Sequence, residues 1–164
     1  EFPGHNFGVQ METAAKLIVG GSGIPIIKCS LGSFDTHAGQ AARHRRLMKQ
    51  LAGGLSSFAR SMKNAGKWDD ILIMTYSEFG RRPQENASGG TDHGTAAPHF
   101  IMGGAVNGGI LGKHPDLGAL VEGDMQFTMD YRAVYERVLS DWFGIRGNKF
   151  VSFRNKNLGG MIKL

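Results

Sequence analysis

"DDILIMTYSEFGRRPQENASGGTDHGT", residues 69–95, decides how this chain reads. It opens with a compact apolar run that ends at Ser77 and Glu78, the composition of a buried strand. It continues into a glycine-rich stretch that sets Glu78, Arg81, Arg82, Glu85, Asp92 and His93 together with little to bury. A loop that only joins two elements needs neither an acidic cluster nor a histidine. The stretch therefore reads as one that returns functional groups to the end of a strand.

Upstream, "VQMETAAKLIV" (9–19) suits a short helix, which "GGSG" ends. "IPIIKCSL" (24–31) reads as a second buried strand. A long helix is predicted from about Ala38 to Ala65, with Leu47, Leu51, Leu55, Phe58 and Met62 on one stripe and Gly53 and Gly54 weakening or bending its middle. Downstream, "PHFIMGG" reads as a third strand and 105–127 as irregular or short-stranded. "DYRAVYERVLSDWFG" closes the core with a helix striped by Tyr131, Val134, Tyr135, Val138 and Trp142. This order predicts one α/β domain over 1–164 with a mostly parallel sheet flanked by helices, and no assignment for the 145–164 tail. In such sheets ligands bind beyond the carboxyl ends of the strands, where "FDTH" and "SEFGR" both emerge.

Composition narrows the partners. Glycine is the outlier, 25 of 164 residues, roughly twice average usage. A formal charge of +5 favours anionic partners. Cys29 stands alone, which excludes an internal disulfide and suits a small buried hydrophobe. No apolar run approaches the ~20 residues of a membrane span. The start, "EFPGHNFGVQ", has no signal-peptide layout and reads as abrupt, as though more protein preceded it. Between Asp35 and Asp69 no acid occurs, while Arg43, Arg45, Arg46, Lys49, Arg60, Lys63 and Lys67 accumulate. Nucleic acid would call for aromatics among these charges, but Phe58 falls on the apolar stripe. A solvated outer face, with an acidic partner domain against it, is the better reading.

Asp35 and His37 can share a side of an extended segment and hold a divalent cation through oxygen and nitrogen. The alternative is that Asp35 or Thr36 caps the long helix and His37 is a surface residue. Glu78 is either a strand-end ligand or a solvated acid paired with Arg81 or Arg82. In "GGTDHG", His93 reads as a ligand and Asp92 as a second ligand or an orienting group, against a plain turn in which Asp92 caps locally. Arg81 and Arg82 either clamp an anionic ester or balance Glu78 and Glu85.

"LGSFDTHAGQ", "GKWDDILIMTYSEFGRRPQENASGGTDHGT" and "FIMGGAVNGGILG" together resemble the uncharacterised domain family 1501, from about Phe7 to Gly144. Members of that family are similar to the alkaline phosphatase and sulfatase superfamily. The family usually shows "GGWDTH" and "SEFGRTP", from which Ser33, Phe34 and Arg82 depart. The resemblance implies an alkaline phosphatase-like fold with metal ions at the carboxyl edge of the sheet. It assigns Asp35, His37, Glu78, Asp92 and His93 as ligands of zinc, manganese or magnesium, and Arg81 as the clamp on a small anionic ester. Phe79 stands where many relatives carry a ligand. The superfamily nucleophile has no counterpart here; Ser77 lies too close to the strand end. The resemblance thus implies the C-terminal part of a longer fold, completed by a missing N-terminal half or another chain. It also implies twin-arginine export to the periplasm or beyond. The expected function is part of a metal-dependent phosphate- or sulfate-ester hydrolase, or a binding or scaffold module that kept the fold without the chemistry.

Overall fold

A computed structural model describes residues 1–147, 149–154 and 158–163 as two compact units. The first comprises 1–71 and 84–92, the second 72–83 and 93–164.

In the first unit α1 (Asn6–Val19) packs against α2 (Gln40–Asn64). Phe7, Met11, Ala14 and Ala15 are buried on α1, and Leu47, Leu55, Phe58 and Met62 on α2, each set at helical spacing. The sequence-derived stripe of α2 holds, apart from Leu51, which is only half-buried. Gly54 does not break the helix. A β-carbon there would lie 2.6 Å from the Phe7 ring, so the glycine is the notch into which that ring fits. The start of α2 is also unlike the expectation. Its N-cap is Gly39, with no side-chain cap; the Gly39 and Gln40 amides instead donate to the carbonyls of Ser88 and Gly89 at 3.0 and 2.8 Å. Neither Asp35 nor Thr36 caps the helix.

The second unit is built on β1 (Ile73–Met74) and β4 (Ile101–Met102), paired antiparallel in the register Ile73 to Met102 and Met74 to Ile101. The chain passes between the units within the hairpin of β2 (Gly80–Glu85) and β3 (Thr91–Gly94). A helical segment closes this unit, α3 (Tyr131–Arg137) running into a wider π turn at Val138–Trp142. Its core gathers Ala133, Val138, Leu158, Met161 and Ile162 beside Met74, Ile101 and Met129. The predicted stripe of this helix holds in Val138, which is buried, and in Val134 and Trp142, which pack against the core, but not in Tyr131, which is 64% exposed; Ala133 and Glu136 are buried beside it. Oε1 of Glu136 accepts from Arg154 Nε at 2.9 Å. The end of the chain, unassigned from sequence, supplies three of the five core residues. It is tied down by hydrogen bonds from Asn107 to the Met161 carbonyl and from Lys163 to the Ala105 carbonyl.

The mostly parallel, alkaline phosphatase-like sheet expected from sequence is not present among the described residues. Both sheets are two-stranded and antiparallel. "IPIIKCSL" accounts for much of the difference. It forms no strand, with a bend at Pro25; Ile27, Cys29 and Leu31 are half-buried while Ile24 and Ile26 are 47% and 72% exposed, and no strand pairs with it among the described residues. Ser30 bonds through its backbone to the Gln10 side chain instead. Apolar composition marks a segment suited to a sheet, but only a neighbouring strand makes it one. The region read as an open loop, in turn, forms the β2–β3 hairpin. The irregular reading of 105–127 holds, with no more than isolated bridges there.

Candidate metal centre

Five residues of the hairpin turn set the geometry. Oδ1 of Asn86 accepts from the Ser88 and Gly90 amides at 3.0 Å each, and the Asn86 amide donates to the Gly90 carbonyl at 2.8 Å. This closes residues 86–90 into a rigid turn. The turn then lies along 36–40: Asn86 Nδ2 donates to the His37 carbonyl at 3.0 Å, and the Thr91 amide to the Thr36 carbonyl at 3.4 Å. Gly90 is buried in this seam. A β-carbon on it would stand 2.2 Å from the His37 carbonyl carbon and 2.6 Å from the Ala38 nitrogen. The glycine is required by close approach of backbone to backbone.

The seam brings three predicted residues together within the first unit. Nε2 of His37 is 2.9 Å from Asp35 Oδ1, and Nδ1 is 3.4 Å from Asp92 Oδ1. Asn86 Nδ2 also reaches Asp92 Oδ1, at 3.4 Å. All three side chains are exposed, whereas Thr36 between the first two is buried and anchors the segment. Alternation along an extended chain explains this: Thr36 turns in, so its neighbours turn out on one side. Two carboxylates and one imidazole form an oxygen and nitrogen donor set suited to zinc or manganese. A ligating histidine usually donates its other ring N–H to a carboxylate, a carbonyl or water; with Asp35 at Nε2 and Asp92 at Nδ1, one ion can take His37 and one of these carboxylates while the other orients the ring.

Glu78, Arg81 and His93 belong to the second unit. Glu78 is exposed at the bend before β2. Arg81 is half-buried, its guanidinium carbon 5.2 Å from the centre of the Phe79 ring. Phe79 stacks on His93, with centroids 3.9 Å apart and planes 7° from parallel. Arg82 pairs with Asp124 at 3.1 Å rather than with Glu78 or Glu85. The Ser77 hydroxyl donates to the Phe79 carbonyl at 3.0 Å, a local turn bond. Cys29 is half-buried, and burial pushes its thiol pKa up.

Asn86 and Gly90 were not singled out as site residues from the sequence. The signal was present in "NASGG", an asparagine that can close a turn over glycines, but nothing local says which backbone that turn will meet.

The chain belongs to the DUF1501 family, described as a protein of unknown function, whose model matches residues 4–151. No curated protein and no solved structure shows a match. No helix among the described residues is long and apolar enough to cross a membrane.

Proposed function

We propose that Asp35 and His37 hold a divalent cation, with Asp92 orienting His37 through its other ring nitrogen, and that the chain is part of a metal-dependent hydrolase of phosphate or sulfate esters. The observation that carries this is the convergence of the three side chains, 57 positions apart in sequence, on a seam the hairpin turn holds in place. The donor chemistry fits: the carboxylates balance the cation's charge, and each lies against a ring nitrogen of His37. When bound, a divalent cation there would polarise an ester oxygen. The chain's own residues supply position. Asn86 and Gly90 fix Asp92 relative to His37, and Thr36 fixes the segment that carries Asp35 and His37. Glu78 and His93 as further ligands, Arg81 as the clamp on the anionic ester, kinship with the alkaline phosphatase and sulfatase superfamily, and export to the periplasm belong to the same proposal through the motif order.

A non-catalytic metal-binding module is the second reading. Phe79 favours it, because it cannot coordinate a metal at the position in the chain where the superfamily resemblance implies a ligand, and its ring instead stacks on His93.

Calorimetric titration of the protein with zinc, manganese and magnesium tests the first claim. Near-stoichiometric binding is expected, lost in His37→Ala, which removes a ligand, and weakened about 10–100-fold in Asp92→Ala, which removes its orienting partner. Equal affinity in parent and variants would refute the site. Hydrolysis of nitrophenyl phosphate or sulfate by metal-loaded protein, absent in His37→Ala, would support the hydrolase. Metal bound without turnover would support the binding module.

A further inference from the structure

The outward face of α2 carries a second pattern, independent of the metal site. Arg45, Lys49, Ala52, Ser56, Arg60 and Lys63 follow one another at steps of four, three, four, four and three, and all are exposed. At ~100° per residue these positions fall within an arc of roughly 80°, opposite the buried stripe of Leu47, Leu55, Phe58 and Met62. The face has two cationic ends and a small, flat middle. The Ser56 hydroxyl bonds back to the Gly53 carbonyl at 3.2 Å, so the middle presents no free donor. Arg45, Lys49 and Arg60 form no ion pair among the described residues, and α2 contains no acid at all. Arg45 and Lys49, four apart, repel one another, and cations in the N-terminal half of a helix oppose its dipole. A matching set of negative charges would offset both costs.

We propose that this face of α2 docks an acidic helix of a partner protein, with its carboxylates in two clusters and small residues between them. The spacing selects this occupant. Lys49 and Arg60 are separated by about 16 Å of helix with no cation between. Duplex nucleic acid carries charge about every 1.7 Å along its axis and would face an unneutralised middle. Single strands call for a row of aromatic stacking platforms; among the described residues this face adjoins one ring, Trp68, and Lys63 Nζ already lies over it at 5.5 Å. A membrane-surface helix calls for bulky apolar groups on the outward side, where α2 has alanine and serine. Small central residues let a second helix approach to about 8–10 Å, at which distance carboxylates reach the cations at either end.

The test uses the full chain and two synthetic helical peptides of equal length and charge. One carries glutamates in two clusters about 16 Å apart with alanines between, and the other spreads the same glutamates evenly. Binding is followed by fluorescence anisotropy at near-physiological salt, with a 20-base-pair duplex as the third probe. The clustered peptide is expected to bind about 10-fold or more tightly than the even one. Arg45→Glu, Lys49→Glu, Arg60→Glu and Lys63→Glu together should abolish that binding and restore it for the clustered peptide remade with lysines. Equal binding of both glutamate peptides, no rescue by the lysine peptide, or tighter binding of the duplex would each overturn the proposal. All four substitutions lie on the exposed face, and circular dichroism verifies that α2 persists.

Discussion

Replacing Gly90 with alanine tests whether the seam, rather than the ligand side chains alone, makes the site. The added β-carbon would stand 2.2 Å from the His37 carbonyl carbon, 2.4 Å from its oxygen and 2.6 Å from the Ala38 nitrogen. These are backbone atoms, not the end of a flexible side chain, so the turn must withdraw by close to an ångström. The bonds nearest the added group go first, Gln40 to the Gly89 carbonyl and Thr91 to the Thr36 carbonyl. Gly39 to Ser88 and Asn86 to His37 follow if the turn peels away. At about 0.5–1.5 kcal/mol for each net hydrogen bond, two to four losses predict a destabilisation of about 1–6 kcal/mol. Urea unfolding followed by far-ultraviolet dichroism reads that loss as a lower midpoint with an unchanged slope. Because Asp92 follows directly on the turn, zinc affinity should fall as well, with Asp35, His37 and Asp92 all intact. A variant within about 0.5 kcal/mol of the parent, binding zinc equally, would refute the reasoning.

Ser33 takes a positive φ of 72° two residues before Asp35, in the left-handed region that favours glycine. Ser33→Gly should raise stability by about 0.5–1 kcal/mol, read as a higher unfolding midpoint, because relief of the left-handed conformation outweighs the entropy glycine adds to the unfolded chain. Asp130 caps α3, accepting from the Arg132 amide at 2.9 Å, and the Arg132 guanidinium hydrogen-bonded to it holds its carboxyl below the ordinary aspartate value. Asp130→Ala should cost about 1 kcal/mol at pH 7. A depressed carboxyl contributes fully above its unfolded value of about 3.9 and loses that contribution as pH falls through the folded value. Parent and variant should therefore converge in acid urea titrations below pH ~3.9, and a constant gap down to the lowest pH would contradict the assignment.

The hairpin shows how a site can be legible in outline and opaque in detail. Asp35, His37 and Asp92 stand out in sequence because polar, metal-competent residues beside glycines are unusual at the end of an apolar run. That His37 would lie between the two carboxylates depends on where residues 86–90 lie against 36–40, a contact between segments 50 positions apart. The capping reading of Asp35 was equally sound locally. It fails because the Ser88 and Gly89 carbonyls already accept the first amides of α2, which moves the helix start to Gln40 and leaves Asp35 for His37.

The sequence by itself determined α1 and α2, the buried stripe of α2 and the acid-free outer face with its two basic ends. Helical periodicity and charge pattern are properties of residues three and four apart, so they survive any tertiary arrangement. Only the tertiary structure decided the direction of strand pairing, the fate of "IPIIKCSL", the burial of Glu136 and the place of Leu158, Met161 and Ile162 in the core. It also decided what the glycines are for, Gly54 as the notch for Phe7 and Gly90 as the point where two backbones touch. Strand partners and close approaches join residues far apart in the chain. The same apolar run can pair parallel, pair antiparallel or stay unpaired, depending on which neighbour reaches its edge.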